Sequence, residues 1–107
     1  MVDREEFRNI ISNADLFDKT QMECIVQKLK HNICQNLRIA RKLSNINPEK
    51  ASQVLGLEPQ SLRRIEAIND RDDFSSRVLI LAIMYYQVDS DFYFKSWKEN
   101  EKLLQEK

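Results

Sequence analysis

A chain of 107 residues, 42% hydrophobic and 32% charged, has the size and composition of one folded domain and not of a disordered segment. One glycine and two prolines are too few turn-formers for an all-β sandwich, so helices are expected. The formal net charge is zero, but it is unevenly spread: residues 28–64 carry +6, while residues 1–27 and 65–107 carry −3 each. A local positive block of this kind suits contact with phosphates.

The first predicted helix runs from about residue 3 to 13. Asp3 followed by Glu6 is a capping-box pattern, and Phe7, Ile10 and Ile11 recur at helical spacing. Charged residues 3–6 are not followed by an apolar run, so no signal peptide is expected, and no stretch reaches the roughly 20 apolar residues of a membrane helix. A cytoplasmic chain without membrane contact follows, with Cys24 and Cys34 as reduced, buried thiols.

Asp18 followed by Gln21 opens a long helix in which Met22, Ile25, Val26, Leu29, Ile33, Leu37 and Ala40 form one stripe up to Leu43. Ser44, Asn45 and Asn47 then turn the chain, with Asn47 as cap and Pro48 in the first helical position. Ala51, Val54 and Leu55 are the buried face of a short helix ending at Gly56, the only glycine. Glycine adopts positive φ without a Cβ clash, so it closes a helix and turns the chain tightly. Leu57 points inward from the turn. Behind Pro59, Leu62, Ile65 and Ile68 face the core, and Gln60, Ser61, Arg63 and Arg64 stay outside.

Residues 69–73 form an acidic loop, and Asp73, Ser75 or Ser76 caps the next helix. From Val78 to Tyr86 every residue is apolar or aromatic, which predicts a helix buried on all sides. Asp89 caps a last segment carrying Phe92, Tyr93, Phe94 and Trp97, and a polar helical tail follows.

Helix, glycine-centred turn and helix is the layout of the helix-turn-helix. With Leu37-Arg38-Ile39-Ala40-Arg41 before it, Ser52, Gly56 and Leu57 within it and Glu66 at its end, the segment 33–94 resembles the lambda-repressor-like, or Cro/XRE-type, domain of bacterial and phage transcription regulators. The resemblance implies an all-α fold: a compact five-helix core with an extra N-terminal helix (1–32) and a helical C-terminal tail (95–107), together one globular unit. It also implies an ion pair between Arg41 and Glu66. Its function would be sequence-specific binding of double-stranded DNA, the recognition helix of about 59–68 lying in the major groove.

In that role Gln60, Ser61 and Arg64 contact bases, and Arg38, Lys42, Lys50 and Arg63 contact the backbone. Three places depart from the family pattern: Pro48 stands where glutamine is common, Glu58 stands at the cap of the recognition helix, and aspartates follow Ile68. Glu58, the acidic loop 69–73 and the zero net charge favour an alternative, the same fold used to bind a protein, as in an antirepressor or a regulator's partner. The helix of residues 76–87, apolar from Val78 to Tyr86, the N-terminal helices and Trp97 are expected to build a homodimer suited to palindromic sites.

An enzyme is not expected: there is one histidine, no glycine-rich phosphate loop and no carboxylate pair placed in a cleft. Nor is a cofactor or metal. Cys24 and His31 stand about 10 Å apart along one helix, and His31 with Cys34 makes only half a zinc site.

Overall fold

Residues 4–12, 19–67 and 73–106 are described by the computed structural model, and among them every regular element is helical. The expected caps Asp3 and Asp18, together with Phe17, Ile68 and residues 69–72, lie outside the described residues, as do the side chains of Phe7, Ile10 and Ile11. The elements in chain order are α1 (Arg4–Ser12), α2 (Lys19–Leu43), α3 (Pro48–Leu55), α4 (Pro59–Glu66), α5 (Ser76–Tyr85), a 3-10 helix (Ser90–Phe94) and α6 (Trp97–Gln105). No described helix is long and apolar enough to cross a membrane.

Local chemistry sets most of these ends. The left-handed φ of 58° at Asn45 turns the chain after α2, a conformation asparagine tolerates better than most residues. Asn47 accepts the Lys50 N–H at 2.8 Å, and Pro48 begins α3. Of the three expected caps for α5, Ser75 is the one that accepts the Val78 N–H, at 3.3 Å. Asp73 instead accepts from the next N–H, that of Phe74, at 2.8 Å. That bond, reinforced by Lys30 at 3.2 Å, holds the Asp73 carboxyl below its ordinary range.

The continuous helix α2 is the spine: it packs against α4, the 3-10 helix and α6, while α3 packs against α4 and α5. The boundary drawn at 32/33 therefore falls inside one unbroken helix. Leu37, Ile39, Ala40, Ala51, Leu55, Leu62, Ile65, Val78, Ala82 and Tyr93 form the centre of the core. Leu57 and Trp97 pack against it, half-buried.

Two expectations are corrected. The helix from Ser76 is not buried all round: Ile80 is 60% and Met84 80% exposed, because among the described residues the core covers only the face carrying Val78 and Ala82. Cys24 is exposed; only Cys34 is buried. The expected helical C-terminal tail is present as α6, packed on α2, with the Trp97 ring edge-on to His31 at 5.9 Å between centroids.

What seats α6 is a cluster of buried amides. Asn36 donates to the carbonyls of Tyr93 (3.0 Å) and Lys95 (2.8 Å), and Asn32 donates to Lys95 at 2.9 Å. Asn100 donates to Asn36 Oδ1 (2.9 Å) and to the Phe92 carbonyl (3.0 Å), while Asn32 Oδ1 accepts the Trp97 N–H at 2.9 Å. The end of the 3-10 helix leaves carbonyls without helical partners, and side-chain amides on α2 and α6 satisfy them.

Candidate nucleic-acid interface

The turn between α3 and α4 is built by Gly56 at φ 68°. Its N–H donates to the Gln53 carbonyl at 3.3 Å, and the Leu57 N–H donates to the Ser52 carbonyl at 2.8 Å. The two bonds make a Schellman closure, which satisfies the last carbonyls of α3 and reverses the chain within two residues. Pro59 then starts α4. Glu58, in the cap position, makes no side-chain bond to the helix; its backbone carbonyl accepts from Ser61 (2.9 Å) and Leu62 (3.2 Å).

On α4, Leu62 and Ile65 are buried, and Gln60, Arg63 and Arg64 are exposed, with Ser61 half-buried. Gln60 and Arg64, four apart, share one outward face. The motif turn also brings in a cation that the sequence did not single out. A Cβ placed on Gly56 would stand 3.7 Å from the Arg77 guanidinium, so this exposed side chain from α5 lies over the turn. Only the packing of α5 on α3 joins positions 21 residues apart.

The ion pair expected between Arg41 and Glu66 is present and two-pronged. Arg41 Nε donates to Glu66 Oε2 at 2.8 Å, and Nη2 donates to Oε1 at 3.0 Å. Nη1 donates to the Ile46 carbonyl at 2.9 Å, so one guanidinium joins the end of α2, the loop before α3 and the end of α4. Both side chains are 11% exposed. Next to this pair the Tyr86 hydroxyl is buried without a hydrogen-bond partner among the described residues. Burial first, and the Glu66 charge second, push its phenol well above the ordinary value.

Four cations expected at the DNA backbone divide into two groups. Arg38, Lys42 and Arg63 line one groove between α2, α3 and α4, together with Asn47, Pro48 and Glu49. Lys50 is exposed on α3 outside that lining, and Gln60, Ser61 and Arg64 lie outside it too. Lys42, Lys50, Arg63 and Arg64 make no salt bridge among the described residues. Arg38 does: its Nη2 donates to Glu101 Oε1 on α6 at 2.9 Å, and its Nε donates to Gln35 Oε1 at 2.9 Å.

Gln35, which sequence reasoning missed, links these groups. It is fully buried, and its Nε2 donates to the carbonyls of Ala67 (3.0 Å) and Glu66 (3.3 Å) at the end of α4. A chain of hydrogen bonds therefore runs from α6 through Arg38 and Gln35 to the end of α4. A glutamine on the helix face nearest an arginine three residues on is the only trace of this in the sequence.

Among the described residues, no three histidine, cysteine or acidic side chains are grouped as metal ligands. Cys34 lies against the Asp73 carbonyl at 4.0 Å, and Cys24 is on the outer surface. No family model, curated protein or solved structure matches this chain.

Proposed function

We propose that the chain is a DNA-binding transcription regulator of the lambda-repressor-like kind, with α3 and α4 as its helix-turn-helix and no catalytic role. The observation that carries the reading is the combination at α4. Its inner face is locked by Leu62, Ile65 and the Arg41–Glu66 pair, while Gln60 and Arg64 project outward beside a groove holding Lys42 and Arg63. Rigid presentation of a glutamine and an arginine suits bidentate readout of adenine and guanine edges, each good pair contributing about 1–3 kcal/mol of discrimination. Lys42, Lys50 and Arg63 would hold the backbone, and phosphate contacts of that kind make affinity fall steeply with salt.

The test is selection from a random duplex pool, followed by binding to the selected site at 50–200 mM salt, which spans roughly the range where such contacts weaken. Arg64→Ala is expected to relax preference at one base position with the fold intact. Equal loss on selected and random duplexes would contradict base reading.

The protein-binding alternative draws on Glu58, an exposed carboxylate at the start of α4, where a phosphate would otherwise be welcome. Absence of duplex binding at low salt would turn the assignment to that reading. A homodimer fits both uses. The exposed Ile80 and Met84 on α5 offer apolar surface to a second copy, and a monomeric mass by light scattering at micromolar concentration would remove the dimer.

A further inference from the structure

The cations of the groove are not equivalent. Lys42 and Arg63 face it without an ionic partner among the described residues, whereas the Arg38 guanidinium is occupied by Glu101 at 2.9 Å. Arg38 is 13% and Glu101 39% exposed at the side chain, so the carboxylate is the outer, more accessible member of the pair. The helix that carries it is anchored independently: Asn100, adjacent in sequence, is buried and bonded to Asn36 and to the Phe92 carbonyl. Arg38 keeps a second bond, to Gln35, that does not involve Glu101.

We propose that Glu101 sets the DNA affinity of this chain by occupying, with a carboxylate from its own C-terminal helix, the guanidinium that would otherwise take a backbone phosphate. The proposal rests on the DNA-binding reading. Its chemistry is simple competition. A carboxylate and a phosphate both accept from the guanidinium fork, and one Arg N–H edge cannot serve both at full strength. While Glu101 holds Arg38, the groove presents two cations; when the pair opens, it presents three. Because Glu101 belongs to α6, anything that shifts α6 also shifts the number of phosphate contacts.

The experiment compares Glu101→Gln with Glu99→Gln, an exposed residue on the same helix with the same change in charge, each in the Arg38 and the Arg38→Ala background. On the selected duplex, E101Q is expected to steepen the log–log salt slope by about 0.9 and to bind roughly fivefold to tenfold tighter at 0.1 M salt, as one added phosphate contact requires. E99Q should fall short of this, and the E101Q gain should vanish with Arg38→Ala. An unchanged slope and affinity in E101Q, or an equal gain without Arg38, would overturn the proposal.

Melting curves check folding, and Glu101→Ala gives the same comparison if E101Q melts differently. If the wild-type chain holds no duplex even at 50 mM salt, the DNA reading fails. The masking is then read on a heparin column, where E101Q must elute at higher salt than E99Q only when Arg38 is present. Identical elution there overturns it.

Discussion

Removing one partner of the Arg41–Glu66 pair tests the geometry most severely. In Glu66→Leu, the guanidinium loses the acceptor of both its Nε and its Nη2 bonds and keeps only the Ile46 carbonyl. At 11% exposure it has little water to replace them. Breaking a buried pair from one side costs about 3–5 kcal/mol, chiefly because the remaining charge is buried and uncompensated. Domains of this size are stable by only about 5–15 kcal/mol, so the variant should lose roughly a fifth or more of its stability.

Arg41→Met should cost a similar amount by stranding the Glu66 carboxylate. The double variant should cost far less than the sum, because an apolar pair of similar volume leaves no charge behind. Urea unfolding followed by circular dichroism gives each value from the midpoint and slope. The three variants with the wild type close a double-mutant cycle, which is expected to show a coupling of about 2 kcal/mol or more. A loss under about 1 kcal/mol in Glu66→Leu would refute the reasoning, because the pair would then be effectively solvated. So would a double variant as unstable as the two singles added together.

Gly56→Ala should cost about 1–2 kcal/mol in the same assay, since φ is 68° and the nearest atom, at 3.7 Å, leaves room for the methyl group; Gly56→Asn should cost less. An unchanged midpoint in Gly56→Ala would mean the turn has no left-handed residue. Tyr86→Phe should be neutral or stabilising by up to about 1 kcal/mol, because the hydroxyl it removes is buried without a partner; clear destabilisation would reveal a hidden bond. Burial raises the Tyr86 and Tyr93 phenols above their ordinary value of 10.0, so the stability they contribute is complete below pH 10 and is lost as pH rises beyond it. Chemical denaturation at stepped pH should show that decline, and a flat profile from pH 9 to about 12 would contradict it. Lys30→Met should move the Asp73 titration up toward, but not fully to, its ordinary value, since the larger cause, the Phe74 N–H, remains; carboxyl NMR titration reads this directly.

The helix ends were legible because the signals that set them act over three or four residues. Asn47, Pro48, Gly56, Pro59 and Ser75 each do what their own chemistry requires, and the apolar spacing around them marks Leu37, Ala51, Leu55, Leu62 and Ile65 as core. The Arg41–Glu66 pair came from the family resemblance and is present in atomic detail. The buried amides were not legible. Asn32, Gln35, Asn36 and Asn100 look like solvent-facing residues in any hydropathy pattern, and what buries them is the set of carbonyls left open by the 3-10 helix and by the end of α4.

Composition, periodicity and local capping residues determined that this chain is helical, where its short helices begin and end, and which side of α4 faces outward. Tertiary structure decided the rest: that α6 docks on α2, that α5 leaves Ile80 and Met84 in the open, and that Arg38 answers to Glu101. Caps and apolar stripes are local properties, written within one or two turns of helix. The partner of a polar side chain is not local: Arg38 and Glu101 lie 63 residues apart, and only the packed molecule brings them within a hydrogen bond.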